Sequence, residues 1–532
     1  MMMMPAQAPS VFAPGGASVA SRRNHAPTPV STPQGIALKR HPLVYEIRAS
    51  QLLQRCQQEA GNDATLADTP DALLDRWHKL GFQAIWIMGV WQRGVSSVEV
   101  SRTHPDFTCH YEEDLPGWQP EDVCGSPYAI QRGRVAAELG GADALQALRH
   151  KLAKRGIALI LDFVLNHTAL DHPWVESHPE YFIRGTEGDL KAEPDRFVRL
   201  GDHVFAHGRD PYFPAWKDTL QLDFRMQAVR DNALKQLQRV ADLCDGVRCD
   251  LAMLAISDTF KAIWGGDYEP LPAPYEEFWA WAIDRVHQKH PRFTFMAEAY
   301  WGMEAHLQAL GFDFTYRKQF YDLIVARKVE GLRGSLTDRR LAGNSVFFIE
   351  NHDEPRAARA IPVSQLRRAA ATMVATLPGM RLIHDGQMEA LKHHHSLHLS
   401  RRADEVPDDE ELAFYERLLL MLQDSSVGQG EWQLLETQAA WQGNHSHWRV
   451  QAYLWRAGDG RMDLVVANLS EHSEEGRVMV PNCGVCGRLW QLRDRLSPEV
   501  YLRSGSEMFK QGLYVRLQPY TVQIFELRLA KD

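Results

Sequence analysis

The chain has 532 residues, of which 45% are hydrophobic and 24% are charged, a composition typical of folded globular proteins. This length excludes a single small module, since domains usually contain roughly 100–200 residues. The formal net charge of -9 excludes the basic surface that nucleic-acid binding requires. No stretch reaches the roughly 18 consecutive apolar residues of a membrane-spanning helix. We therefore expect a soluble protein of several domains, with neither a nucleic acid nor a membrane among its partners.

The cysteine content bears on the cellular compartment. Seven cysteines are too few and too scattered for a disulfide scaffold, and their odd number leaves at least one unpaired. We therefore expect a reducing, cytoplasmic location. The close pair Cys483 and Cys486 lacks a second pair or suitably spaced histidines, so a tight turn is a better interpretation than a zinc site.

Residues 1–40 differ in composition from the rest of the chain. They are rich in Ala, Pro and Ser, contain no acidic residue and lack the continuous apolar stretch of a secretory signal. We predict a disordered N-terminal tail. An organelle transit peptide would share this acid-free composition, although the segment shows no amphipathic helical pattern.

Short apolar runs rich in β-branched and aromatic residues follow, and they alternate with helical patterns. This alternation is typical of βα units around a parallel sheet. Eight such runs predict a closed (β/α)8 TIM barrel over residues 41–425. The predicted strands are 44–50, 84–90, 157–164, 245–250, 293–298, 312–316, 345–350 and 380–386.

The helical patterns carry start and stop signals. Asp68 or Thr69 is a candidate N-cap for a helix with Pro70 at its first position, and Gly81 ends that helix. Ser364 is a candidate N-cap of a later helix. Apolar residues three and four apart predict that one face of each helix packs inward.

Two segments extend the predicted barrel. The connection after the third strand is longer than a crossover helix at 225–241 requires, so we interpret 168–223 as an inserted subdomain. After a helix at about 409–423, alternating strands predict a C-terminal antiparallel β-sandwich at 430–532. Its four clearest strand patterns are 450–456, 463–469, 513–517 and 521–527.

Charged side chains follow several predicted barrel strands. Arg248 and Asp250 are two residues apart and share a face, so the guanidinium can hold the carboxylate ionised. Glu298 ends the next strand, and His352 and Asp353 follow the seventh. Polar residues at the carboxyl ends of barrel strands form active sites. Three carboxylates and one fixed cation suit the cleavage of a glycosidic bond.

Five motifs in order strengthen this interpretation. They are DFVLNH (162–167), LQLDF (220–224), GVRCD (246–250), MAEAY (296–300) and IENHDEP (349–355). Together they resemble the conserved regions of the α-amylase family, glycoside hydrolase family 13. The resemblance runs from about residue 43 to the end of the chain and includes the insertion and the C-terminal domain.

The resemblance implies specific roles. Asp250 would be the nucleophile, Glu298 the general acid/base, and Asp353 the carboxylate that binds sugar hydroxyls and favours the distorted ring. Arg248 would support Asp250. Three further residues would bind the sugar at the cleavage point. Tyr128 would stack under the ring, and His167 and His352 would form hydrogen bonds with the sugar.

Other features receive more general interpretations. We interpret Asp162 and Asn166 as scaffold residues and Trp301 as a candidate sugar platform beside the cleft. The resemblance requires no cofactor, but it leaves calcium open, with Asn166 as a candidate ligand. The run His393–His395 is better interpreted as a polar loop than as a metal site.

The sequence departs from the family pattern in two places. The residues before Tyr128 are CGSP, where relatives often have an aspartate. After the eighth strand the chain has His384 and Asp385 instead of the usual Tyr-Gly-Gln-Glu pattern. Both differences concern contacts that select the substrate.

The resemblance predicts a retaining enzyme that acts on α-glucosides or α-glucan oligosaccharides through a covalent glycosyl-enzyme intermediate. We expect a glycoside hydrolase, with transglycosylation also open, because the acceptor site decides between water and sugar. One alternative is a catalytically inactive scaffold, against which the intact carboxylates argue. Another is a carbohydrate-binding protein, which would need an exposed aromatic platform on the C-terminal domain.

Overall fold

The computed structural model describes residues 35–481 and 486–530. Its centre is a closed barrel of eight parallel strands arranged in chain order, with the eighth strand paired to the first. All eight predicted strands are present, and the predicted (β/α)8 TIM barrel is confirmed. The strands are β1 (Leu43–Arg48), β2 (Ala84–Met88), β3 (Ala158–Phe163), β4 (Gly246–Cys249), β5 (Thr294–Ala297), β6 (Phe314–Tyr316), β7 (Ser345–Phe347) and β8 (Met380–His384).

The barrel strands are buried on both faces, because side chains fill the interior and helices cover the outside. Every residue of β1 and of β8 is buried. In this register, Glu46 of β1 pairs with Trp86 of β2 and His384 of β8. Arg248 of β4 pairs with Asp162 of β3. The barrel wall therefore contains buried charges that need partners.

Helices with one apolar face form the outer layer; in Gly141–Ala153, for example, Leu145, Leu148 and Leu152 are buried. The helices of at least eight residues are Ala49–Ala60, Asp71–Lys79, Val95–Thr103, Gly141–Ala153, Gln227–Leu243, Ser257–Trp264, Phe278–Lys289, Lys318–Val325, Ser364–Thr376 and Asp409–Gln423. Shorter helices are Pro105–Thr108, Tyr111–Asp114, Trp174–Ser177, Glu187–Ala192, Glu304–Leu310, Glu330–Leu336, Arg339–Gly343, Ala357–Ala360 and Gly505–Lys510.

Both predicted helix caps are wrong. The Asp68 carboxylate accepts hydrogen bonds from Thr65 N at 2.8 Å and the Thr65 hydroxyl at 3.0 Å, so it closes the 3₁₀ turn before the helix. Pro70 occupies the N-cap position instead. Ser364 is the first residue inside its helix, after Val363, and its hydroxyl contacts the neighbouring side chain.

The segment after β3 contains its own strands, which confirms the predicted insertion at this place. His167–Ala169 pairs antiparallel with Thr219–Gln221 at its base. Between them lies a three-stranded sheet in the order Arg184–Gly185, His203–Ala206, Phe197–Leu200.

The segment after β2 is also elaborated, which the sequence did not indicate. Trp91–Arg93 pairs with Ile130–Val135, and short helices lie between them. Tyr111 of one of these helices and Leu115, directly after it, belong to one buried apolar cluster with Leu399 in the segment after β8. The two segments together form one wall beside the carboxyl end of the barrel.

The C-terminal region contains a six-stranded and a three-stranded antiparallel sheet, which confirms the predicted β-sandwich. It rests on the barrel helix Ser364–Thr376, where the Trp455 indole donates to the Thr376 carbonyl at 2.8 Å. The strands are β9 (Gly430–Leu434), β10 (Thr437–Gln438), β11 (Val450–Ala457), β12 (Met462–Asn468), β13 (Glu474–Val478), β14 (Leu489–Asp494), β15 (Val500–Ser504), β16 (Leu513–Leu517) and β17 (Thr521–Leu529).

Two of the predictions concern residues outside the described ranges. Most of the predicted N-terminal tail, residues 1–34, lies outside the described residues, as does Cys483 of the close cysteine pair. Within the described ranges, the helices are all too short or too polar to cross a membrane.

Candidate active site

Arg248 is the centre of the candidate site. Its side chain is 1% exposed, and Nη1 donates to the carboxylate of Asp250. Nη2 lies 2.8 Å from Glu298 Oε2 and 3.9 Å from Asp353 Oδ2. The structure therefore brings together the three carboxylates and the cation that the sequence singled out.

Aromatic rings surround this guanidinium. The Arg248 Cζ atom lies 5.5 Å from the ring centre of Trp86, 5.3 Å from that of Tyr128 and 5.8 Å from that of Tyr316. The electron-rich faces of such rings attract a cation, and their bulk excludes water. A charge buried in this way is stable only with paired anions, which the carboxylates supply.

The environment of Glu298 favours its protonated form near neutral pH. Burial, together with the neighbouring Asp250 and Asp353 carboxylates, outweighs Arg248 and raises the pKa of Glu298 to about 7. The Tyr300 hydroxyl donates to Oε1 at 2.8 Å, and Leu251 N donates to Oε2 at 2.7 Å. Both carboxyl oxygens are therefore held in place.

The backbone after Asp250 is strained. Leu251 has a φ of 40°, in the left-handed region that residues other than glycine rarely adopt. This conformation accompanies the hydrogen bond from Leu251 N to Glu298. Backbone strain of this kind concentrates at functional sites, where surrounding contacts maintain it.

His352 connects Asp353 to the barrel wall. Its Nε2 lies 3.0 Å from Asp353 Oδ2, and its Nδ1 lies 2.6 Å from Glu46 Oε1. Burial opposes a charge on His352, but Asp353 and Glu46 outweigh burial and raise its pKa to about 10. Burial would likewise raise the pKa of Asp353, but His352 lowers it to about 2. Asp353 is thus an ionised carboxylate, and its side chain is 22% exposed.

The remaining predicted sugar-binding residues lie beside these groups. The Tyr128 hydroxyl is 2.8 Å from His352 Nε2. His167 is buried, and its ring centre lies 5.1 Å from that of Trp216. Burial lowers the pKa of His167, so its ring is neutral and offers one N–H group. Their contacts with a sugar stay predictions.

The side chain of Asn166, the candidate calcium ligand, is paired with Gln221. Its side-chain Oδ1 accepts from Gln221 Nε2 at 2.9 Å, and its Nδ2 lies 3.2 Å from Gln221 Oε1. Across residues 35–481 and 486–530, no group of three His, Cys, Asp or Glu side chains could hold a metal ion. Calcium binding at Asn166 stays a prediction.

His384 and Asp385, the two residues of the departure after β8, contact other residues of the barrel end. The Asp385 carboxylate accepts hydrogen bonds from the Tyr45 hydroxyl at 2.7 Å, from Arg402 at 2.9 Å and from Arg55. His384 Nδ1 lies 3.1 Å from Glu350 Oε1. These residues brace the barrel end instead of lining a sugar site.

Sequence reasoning missed Glu46, Tyr300 and His394. Glu46 is a single acidic residue in an apolar strand, which is a signal that a partner must be buried with it. His394 belongs to the histidine run, and its Nε2 lies 2.9 Å from the His352 carbonyl. The run otherwise binds separate partners, as expected for a polar loop. Trp301 contacts the ring of Tyr212 at 5.2 Å and is partly exposed.

The chain is similar to known proteins in sequence. The family model for the α-amylase catalytic domain matches residues 72–198. The α-1,4-glucan:maltose-1-phosphate maltosyltransferase of Burkholderia pseudomallei is 28% identical over 324 residues, which cover 57% of this chain and 24% of that protein. The α-amylase MalA of Haloarcula japonica is 25% identical over 263 residues, which cover 48% of this chain and 34% of that protein. These alignments thus span a quarter to a third of the relatives' length.

The fold is similar to solved structures over nearly the whole chain. A maltogenic α-amylase from Thermotoga neapolitana has a TM-score of 0.64 and 18% identity, covering 92% of this chain and 99% of that one. An α-amylase from Lactobacillus plantarum has a TM-score of 0.60 and 20% identity, with the same coverage. The predicted resemblance to the α-amylase family is confirmed, and with it the fold.

Proposed function

We propose that this chain, with its α-amylase-family resemblance, is a retaining enzyme acting on α-glucosides or α-glucan oligosaccharides. The observation that carries the proposal is the contact of Arg248 with both Asp250 and Glu298. It keeps a nucleophile and a proton donor side by side, as a double-displacement mechanism requires.

In the first step, Glu298 donates its proton to the glycosidic oxygen while the Asp250 carboxylate attacks the anomeric carbon. The glycosidic bond breaks, and an ester forms between Asp250 and the sugar. Asp353 binds hydroxyls of the same sugar and favours the distorted ring. Tyr128 covers one face of the ring, and His167 donates its N–H to a hydroxyl.

In the second step, the deprotonated Glu298 takes a proton from the incoming hydroxyl. The oxygen of that hydroxyl attacks the anomeric carbon, and the ester to Asp250 breaks. Two inversions at one carbon give net retention of the α configuration. The incoming hydroxyl belongs to water in hydrolysis and to a second sugar in transfer.

We propose hydrolysis as the main reaction, with glycosyl transfer as the second candidate. The similarity to proteins named as maltosyltransferases is the observation that supports transfer as the second candidate. Incubation with maltoheptaose, with and without maltose 1-phosphate, followed by chromatography of all products, decides between them. Shorter products alone support hydrolysis, products longer than the substrate support transfer, and no products under either condition contradict the proposal.

A carbohydrate-binding role of the C-terminal domain has support from one observation. Trp441 and Trp448 are 53% and 65% exposed on that domain. Asn444 and His447 link them, since Asn444 N donates to the Trp441 carbonyl at 3.1 Å and the His447 ring contacts that of Trp448. Exposed indole faces bind sugar rings well.

Two further proposals concern the cellular location and the activity. The cysteines in the described part of the chain are free thiols, which supports a reducing, cytoplasmic location. The intact carboxylates support an active enzyme over an inactive scaffold.

A further inference from the structure

We propose that Glu46 is a positioning residue, which holds His352 protonated and oriented so that His352 fixes the ionised carboxylate of Asp353 toward the substrate. This inference rests on the proposed function and extends it to a residue of the barrel wall. Glu46 would not touch the sugar itself.

The first support is the place of Glu46 in the fold. It lies in β1 and is 1% exposed. Its Oε1 contacts His352 twice, at 2.6 Å from Nδ1 and 3.3 Å from the backbone N. Its Oε2 is buried and has no hydrogen-bond partner among the residues that the structure describes. A purely structural role does not require such a half-satisfied carboxylate, since it destabilises the fold.

The second support is the position of His352 between two carboxylates. Glu46 lies at Nδ1, and Asp353 lies 3.0 Å from Nε2. A neutral imidazole has only one N–H group, so it would direct a lone pair at one of the two anions. The imidazolium has both N–H groups and satisfies both carboxylates. The geometry therefore favours a charged His352.

The third support is the set of charges around His352. Besides Glu46 of β1, the neighbouring elements contribute several groups that interact with His352 or with one of its two carboxylate partners. These groups are Tyr128 after β2, Asp162 of β3, Arg248 of β4, Glu298 and Tyr300 after β5, Tyr316 of β6, Asp353 and Glu354 of its own segment, and His394 after β8. Of these, only Asp353 is a carboxylate in contact with a ring nitrogen. Without the Glu46 charge, one anion would have to stabilise the imidazolium alone.

The consequence concerns which carboxyl group carries the catalytic proton. Asp250, Glu298 and Asp353 share one guanidinium, and neighbouring carboxylates compete for a single proton. A cationic His352 keeps Asp353 ionised and leaves the proton to Glu298. Glu46 thus separates the roles of the two groups through His352.

The test is the variant Glu46→Gln, which removes the charge and keeps the shape. We expect the proton affinity of His352 to fall at least tenfold, which is one pH unit. Nitrogen-15 NMR of labelled histidines measures this titration, and the spectrum of His352→Gln identifies the signal. We also expect kcat on maltoheptaose to fall at least tenfold with a smaller change in KM, because Asp353 acts mainly on the distorted ring. Glu46→Asp keeps the charge and should recover part of both losses.

Glu350→Gln is the matched control. Glu350 is as buried as Glu46 and also contacts a histidine, His384, but its other partners are Arg356 and the backbone N of Ala357. We expect Glu350→Gln to lower the melting temperature and to leave the His352 titration unchanged. This result would separate the loss of a buried charge from the loss of the proposed role.

The proposal is overturned if His352 in folded Glu46→Gln titrates as in the wild type, or if kcat is unchanged. If Glu46→Gln does not fold, Glu46→Met replaces it, because methionine also lacks the charge and has a similar length, and a wild-type His352 titration or a wild-type kcat in that variant overturns the proposal. The NMR titration needs no substrate. The effect of Glu46 on the protonation of His352 can therefore be measured even if the proposed enzymatic function is wrong.

Discussion

Arg248 Nη2 lies 2.8 Å from Glu298 Oε2, yet this contact does not keep the glutamate ionised. Burial has the largest effect on Glu298, and with Asp250 and Asp353 it raises the pKa to about 7 in spite of the guanidinium. Arg248 is already neutralised by Asp250, to which its Nη1 donates. The cation therefore orients Glu298 without bringing its pKa down to the ordinary value of a glutamate.

The first prediction is that Asp250→Ala lowers kcat by roughly 10⁴-fold or more, the scale of losses when a nucleophile is removed. Circular dichroism should show a folded protein, because buried Arg248 keeps Glu298 and Asp353 as neighbouring anions. Asp463→Ala is a matched control, since Asp463 is also buried against an arginine, Arg495, but in the C-terminal domain. It should lose stability and keep kcat. Near wild-type activity of folded Asp250→Ala would contradict the nucleophile assignment.

The second prediction concerns alkaline pH. Glu298 must be protonated to act as the acid, so kcat/KM should fall tenfold per pH unit as pH rises above about 7. A pH profile of kcat/KM measures this limb. Glu298→Ala should regain activity with azide and should lose less activity on substrates with good leaving groups. Equal losses on all leaving groups would rule out the acid role.

The third prediction concerns stereochemistry. If Asp250 attacks and Glu298 protonates the leaving oxygen, the two carboxyl groups lie roughly 5–5.5 Å apart and the first product keeps the substrate's configuration. Proton NMR of fresh product from an α-glucoside should therefore show the α-anomer before mutarotation. A β-anomer as first product would indicate an inverting mechanism.

The fourth prediction concerns the exposed tryptophans. The double variant Trp441→Ala with Trp448→Ala should migrate through amylose-containing native gels with less retardation than the wild type. Its turnover of maltose-sized substrates should be unchanged, because the pair lies on the C-terminal domain. Leu502→Ala is the control, since Leu502 is 56% exposed on the same domain and aliphatic. Equal retardation of all three proteins would exclude a sugar platform at these residues.

The eight barrel strands could be predicted because each is a short, buried run whose pattern is local to the sequence. Strands of the C-terminal domain with exposed residues, such as Val500–Ser504, lacked this signal and were missed. The carboxylates Asp250, Glu298 and Asp353 could be predicted for a related reason. Residues at the carboxyl ends of parallel strands meet at one end of a barrel, whatever the sequence between them.

The sequence by itself therefore determined the barrel, its order of strands and the charged residues at its active end. Only the tertiary structure decided which partner each charge receives. Glu46 and His352 are 306 residues apart along the chain. Their contact at 2.6 Å exists because β8 pairs with β1 and so brings β1 close to the segment that follows β7. Protonation states depend on burial and on such distant neighbours, which no local pattern encodes.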